Sequence, residues 1–100
     1  MRVLNLARID EACRSYPTAR TALHRWLRIA QEARWRHFAD LRQTDRTVDQ
    51  VKIAGGVVVT VFNIRGNSYR LITQITYSLG IVLIRDFLSH AEYDKNKWKV

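Results

Sequence analysis

Six consecutive residues, His90-Ala91-Glu92-Tyr93-Asp94-Lys95, carry an imidazole, a phenol, two carboxylates and an ammonium. Histidine titrates near neutral pH and both gives and takes protons. A tyrosine such as Tyr93 can stack on a base or bear a proton. Lys95, with Arg70 and Arg85 upstream, can stabilise negative charge on phosphate. One reaction fits this set of residue types and needs no cofactor. In RNA a 2′-hydroxyl attacks its neighbouring phosphate, which calls for a base, an acid and cationic stabilisation. Each residue taken singly also has a structural reading: a histidine after a strand packs, a surface arginine is solvated, a tyrosine fills a core.

The bulk composition agrees with an anionic partner. Seventeen Lys and Arg oppose nine Asp and Glu, a net charge of +8 with pI near 10.4, and thirteen of the seventeen are arginine. The guanidinium fork grips two oxygens of a phosphate or carboxylate at once. Nucleic acid is therefore the leading partner class, with an acidic protein as the alternative. Residues 1–50 and 51–100 each carry +4, so the charge is no appended tail. One hundred residues, 47% of them apolar, fit one domain spanning 1–100. The single Cys13 cannot form an internal disulfide, and no apolar run reaches membrane-spanning length. These features predict a cytoplasmic chain. His37 has no second ligand at metal spacing, and Gly66-Asn67 does not open a phosphate loop, so no metal or nucleotide site is expected. No helix-turn-helix pattern supports DNA binding.

The elements that must position these residues follow from periodicity. Met1–Leu4 is an edge strand or an extended lead-in. Leu6, Ile9, Cys13 and Tyr16 recur at helical spacing until Pro17. Thr18 is placed to cap a second helix, whose apolar stripe is Ala19, Ala22, Leu23, Trp26, Leu27, Ala30 and Ala33, with Arg20, His24, Arg28 and Gln31 opposite. Trp35, Phe38 and Leu41 suggest a short third helix. Residues 42–50 read as a polar, mobile connector. Gly55-Gly56 marks a turn, and strands are predicted over 57–64, 69–78 and 81–88. The fold class is α+β, a small twisted and mainly antiparallel sheet backed by two or three N-terminal helices.

Two-residue turns at Gly66-Asn67 and Leu79-Gly80 would set the register. Asn63 then falls opposite Arg70, Gln74 opposite Arg85, and Arg70 opposite Ser89. One face collects Asn63, Arg70, Gln74, Arg85 and Ser89, an open arginine-bearing surface with Arg70 and Arg85 about 13 Å apart. The other face collects Phe62, Ile64, Tyr69, Leu71, Ile75, Tyr77, Val82, Ile84 and Leu88 against the helices. Asp86 falls on that apolar face, where it must reach the sheet rim or pair with a helix arginine.

Residues 63–72, Asn-Ile-Arg-Gly-Asn-Ser-Tyr-Arg-Leu-Ile, then Ile84-Arg85 and residues 89–95, Ser-His-Ala-Glu-Tyr-Asp-Lys, together resemble the HigB family of type II toxins. The likeness extends weakly upstream through residues 17–26 and 35–41. It implies a fold similar to RelE toxins, a ribosome-dependent endoribonuclease acting on translating mRNA, and a HigA antitoxin with a helix-turn-helix domain. By position it implies phosphate-holding roles for Arg70 and Arg85, proton transfer at His90, stacking or assistance from Tyr93, and charge stabilisation by Lys95. Asn63, Arg65, Asn67, Gln74 and Trp98 are candidate RNA contacts, with Asn67 also a turn residue and Trp98 also able to pack on the helices. Glu92 is open as a base and Asp94 as a helix cap. A non-catalytic RNA- or ribosome-binding protein that blocks translation is the alternative, and a decayed toxin that only engages its antitoxin is a further one.

Overall fold

A computed structural model describes residues 1–100. The chain runs β1 (Arg2–Leu4), α1 (Ala7–Ser15), α2 (Arg20–Glu32), α3 (Phe38–Thr44), β2 (Asp49–Lys52), β3 (Val58–Ile64), β4 (Tyr69–Thr76), β5 (Ile81–Ser89) and α4 (His90–Asp94). One five-stranded sheet has the order β1-β5-β4-β3-β2, with β1 parallel to β5 and every other neighbour antiparallel. The class is α+β, and the predicted lead-in is the edge strand β1. No helix is long and apolar enough to cross a membrane.

The helical stripes and one sheet face meet in the main core. Ile9, Ala12 and Cys13 of α1, then Leu23, Trp26 and Ala30 of α2, bury against Phe62, Ile64, Leu71, Val82 and Ile84. Trp26 and Trp35 both lie against Phe62, the former edge-on with ring centroids 5.3 Å apart. Phe62 itself is 1% exposed. Cys13 is a packing residue here. Thr18 does not cap α2. A 3₁₀ turn over Pro17–Ala19 leads into the helix, Ala19 takes the capping position without a side-chain bond, and the Thr18 hydroxyl instead meets the Tyr69 hydroxyl at 2.6 Å.

The first hairpin has the predicted register, with Asn63 opposite Arg70. The second does not. β4 ends at Thr76, which pairs with Ile81, because Tyr77–Leu79 coil into a 3₁₀ turn closed by Gly80 at φ 67°. Glycine alone enters that left-handed region without strain. A β-bulge then leaves Arg85 without a pairing partner: Thr73 pairs with Ile84 and Ile72 with Asp86. So Gln74 lies opposite Leu83 and Arg70 opposite Leu88. The extra residue reverses the alternation of β5. Phe87, not Leu88, joins Ile84 on the helix-facing side. Asp86 sits at the rim and pairs with Arg8 of α1 at 3.2 Å, one of the two resolutions open to it.

The sheet's other face is not the open polar surface expected. Ile53, Val59, Val61 and Ile72 form a second, smaller core, covered by Tyr93 and Trp98. The polar run 42–50 is also mostly structured. α3 extends to Thr44, Asp45 accepts hydrogen bonds from the backbone and hydroxyl of Thr47, Val48 is buried, and β2 begins at Asp49.

Phe62 joins Trp26 of α2 and Trp35 of the α2–α3 connection to the sheet, so Phe62→Ala leaves a large void. It is expected to cost about 3–5 kcal/mol in urea unfolding, a large part of a typical stability of about 5–15 kcal/mol. A loss below about 1 kcal/mol would contradict this packing.

Candidate functional site

The site begins where β5 becomes α4. Ser89 caps this five-residue helix by a capping box: its hydroxyl accepts from the Glu92 backbone at 3.2 Å, and the Glu92 carboxylate accepts from the Ser89 backbone at 3.1 Å. The Tyr16 hydroxyl, from the end of α1, donates to the same carboxylate. The His90 backbone N–H donates to the Ser68 carbonyl at 3.0 Å, tying the helix start to the β3–β4 turn. These bonds fix His90 over the end of β4.

Arg70 is the only charged residue among the buried ones, 8% exposed. Its Nη1 donates to the carbonyls of Asn67 (3.2 Å) and Tyr69 (3.0 Å). Its Nη2 donates to the Asn67 side-chain oxygen and lies 3.3 Å from His90 Nδ1. The guanidinium carbon stands 5.4 Å from the Tyr93 ring centroid. Arg8 pairs with Glu11 and with Asp86, His37 and His90 lie beside Asp40 and Asp94, and none of these contacts includes Arg70. Carbonyl dipoles, an amide and an aromatic face hold the charge, with no carboxylate to neutralise it. Because guanidinium only donates, His90 Nδ1 acts as acceptor in this arrangement. Nε2 then carries the hydrogen and faces Asp94 Oδ2 at 3.2 Å.

Tyr93 stacks on Trp98, ring centroids 4.9 Å apart and planes 18° from parallel, and its carbonyl accepts from the indole N–H at 2.9 Å. Trp98 thus packs on the site and the second core rather than on the helices. Burial is the chief cause that raises the Tyr93 phenol above 10.0, with Asp49 adding to it and Arg70 opposing. The phenol therefore stays protonated at neutral pH and is a weaker acid than a free tyrosine.

The remaining candidates lie around this cluster. Arg85 is exposed and donates to Gln74 Oε1 at 2.9 Å. The bulge places it between two and three residues along the sheet from Arg70, about 8 Å by strand rise rather than the expected four residues. Lys95 is exposed and lines a groove with Asp86, Leu88, Glu92, Lys97 and Trp98. Asn63 and Arg65 line a separate groove toward α2. So Asn67, Arg70, His90, Tyr93 and Trp98 form one cluster, Arg85 and Gln74 a neighbouring pair, and Asn63 and Arg65 a flank.

Three partners were not assigned from the sequence. Asp94 holds His90 instead of capping a helix, the capping residue being Ser89; the i,i+4 spacing is a local signal for that contact. The Ser89-x-x-Glu92 spacing signals the capping box. Tyr16 lies 76 residues from Glu92 and has no local signal. No three His, Cys, Asp or Glu side chains gather closely enough to hold a metal ion.

An open, mainly antiparallel sheet with its N-terminal helices on one face is the α+β architecture of RelE-like toxins, here with a cationic and aromatic cluster where the last strand ends. A model of the HigB toxin family, described as the RelE-like toxic component of a toxin-antitoxin system, matches residues 19–96, and the chain belongs to that family. It is 27% identical over 95 residues to the mRNA interferase HigB of Escherichia coli O6:H1 (strain CFT073), covering 95% of this chain and 90% of that protein.

Glu92 is held below its ordinary 4.5, chiefly by the Tyr16 hydroxyl and then by Ser89. A depressed carboxylate contributes stability that is present above its unfolded pKa and lost as pH falls through the folded value. Tyr16→Phe keeps the ring against Tyr69 and Phe87 but removes the donor. In a carboxyl-detected NMR titration, Glu92 should shift up toward 4.5, and the variant should be less stable at neutral pH and lose less stability than the wild type as pH falls below 4.5. An unchanged Glu92 titration would assign the effect to Ser89 alone.

Proposed function

We propose that this chain, acting as one domain in the cytoplasm, is a ribosome-dependent endoribonuclease that cuts translating mRNA and is restrained by a HigA-type antitoxin. Membership of a toxin family and likeness to an mRNA interferase support the class of activity. The observation that carries the chemistry is Arg70: a buried cation with no carboxylate partner, in contact with a histidine. Such a site gains most from an anion that brings its own charge.

The geometry supports the following course. A backbone phosphate approaches Arg70 and takes over the Nη2–H that faces His90 Nδ1. This exchange places a compensating charge on Arg70 and frees the Nδ1 lone pair. His90, still held by Asp94 through Nε2, accepts the proton of the adjacent 2′-hydroxyl. The 2′-oxygen bonds to phosphorus and the bond to the 5′-oxygen breaks. The products are a 2′,3′-cyclic phosphate and a 5′-hydroxyl, whose proton comes from Tyr93 or Lys95. Arg85, with one N–H on Gln74 and the rest exposed, stabilises charge on the nonbridging oxygens. Tyr93 and Trp98 already stack and extend an aromatic surface toward a base. Asn67 lines the approach, with Asn63 and Arg65 on its flank.

The competing reading is a binder that blocks translation without cleavage, favoured by the net charge of +8. Mapping of mRNA 5′ ends in a translating extract separates the two. The wild type should give new ends at a fixed place within codons, only with ribosomes present, and His90→Ala should reduce them by about 10²–10⁴-fold. Arrested translation without new ends would establish the binder. Undiminished cutting by His90→Ala would take His90 out of proton transfer.

A further inference from the structure

We propose that the exposed face of α2 and the tip of the β3–β4 hairpin form a continuous docking track for the backbone of helical RNA, separate from the cleavage site. This rests on the RNA-directed reading above and adds a second contact surface, on the helical side of the sheet.

A surface cavity of 390 Å³ on α2 is lined by Arg20, Thr21, His24, Arg25 and Arg28, without one apolar or acidic residue. None of these arginines takes part in an ion pair. Arg20, His24 and Arg28 recur every four residues on one row of the helix, and Arg20 and Arg28 lie about 12 Å apart along its axis. That length meets successive phosphates of one strand.

Arg25 continues the track. It also borders a 240 Å³ groove, lined in part by Ala22, Trp26, Ile29 and Ile64, that runs past Asn63 to Arg65 and Gly66 at the hairpin tip. Arg65 is held there at φ 55°, a conformation a non-glycine residue seldom adopts. The one acid in that groove, Asp45, already accepts two hydrogen bonds from Thr47. Next in the same turn is Asn67, which holds Arg70. The track therefore leads from α2 to the rim of the site.

The chemistry of the α2 face selects the ligand. A protein partner would need an apolar centre to bury, and this part of the surface supplies none. Single-stranded RNA would need an aromatic platform for its bases, and none lines it. Unpaired arginines on a rigid row match a backbone, where affinity comes from phosphate contacts and counterion release.

The test uses the full chain and a labelled RNA hairpin of about 20 base pairs, titrated by fluorescence anisotropy between about 50 and 200 mM salt. The double variant Arg20→Gln/Arg28→Gln should lose about tenfold in affinity, and its log–log salt slope should become shallower by about 1.5. Its thermal midpoint and its co-purification with antitoxin should match the wild type. Arg65→Gln should weaken hairpin binding in the same direction; no effect there would overturn the continuity of the track. His90→Ala should bind the hairpin as the wild type does, so the result stands whether or not cleavage is found. Unchanged affinity and slope in the double variant would overturn the proposal. So would intact RNA binding with lost antitoxin capture, which would give the face to a protein partner.

Discussion

A buried guanidinium must have its N–H groups met, and at Arg70 the partners come from separate stretches of chain. The hairpin turn supplies a carbonyl and an amide oxygen from Asn67, β4 supplies the Tyr69 carbonyl, and α4 supplies the His90 ring. Leaving such donors unmet in a dry environment is costly. The requirement therefore joins these elements at one point. The turn must close as it does to present Asn67 twice, and α4 must start where it does to present His90. The bond from the His90 backbone to Ser68 reinforces the same junction. What remains unmet is the charge itself, which no carboxylate of the chain neutralises.

The two faces of the sheet divide the work unequally. The helix-facing side holds the larger core and sets the strand positions. The other side has a minor core of four aliphatic residues, and its cover is the aromatic pair of the site, Tyr93 and Trp98. Packing and chemistry share these side chains. Burial holds the Tyr93 phenol in its neutral form, and a drier surround makes each polar contact at Arg70 stronger than it would be at an open surface.

Much of this was legible in the sequence. Helical stripes and the first hairpin follow from periodicity and from glycine positions, because each is decided within a few residues, whereas residues 1–4 are compatible with an edge strand or a lead-in. The residues from Asn67 to Tyr93 that meet at the site were also recognisable, since their chemistry is unusual in so short a segment and their pattern resembles a known family. The second hairpin was not legible. Leu79-Gly80 is compatible with a two-residue turn or with the closure of a 3₁₀ turn, and only packing of Tyr77 against the core decides. The bulge was hidden for a similar reason: Ile84, Phe87 and Leu88 are all apolar, so hydrophobicity alone does not say which two face the helices. Burial of Arg70 depended on Tyr93 folding back against it, a tertiary event with no local signal.

The bulge at Arg85 carries one more implication. Strike that residue from β5, and Ile84, Asp86 and Phe87 would continue the ladder opposite Thr73, Ile72 and Leu71 in unbroken pleat. The strand would pair as a regular one, with its apolar residues still turned to the helices. Arg85 is thus dispensable to the architecture that carries it. Its side chain is exposed and holds only Gln74, so a substitution there should leave stability nearly unchanged, whereas one at Arg70, bound into the fold, should not.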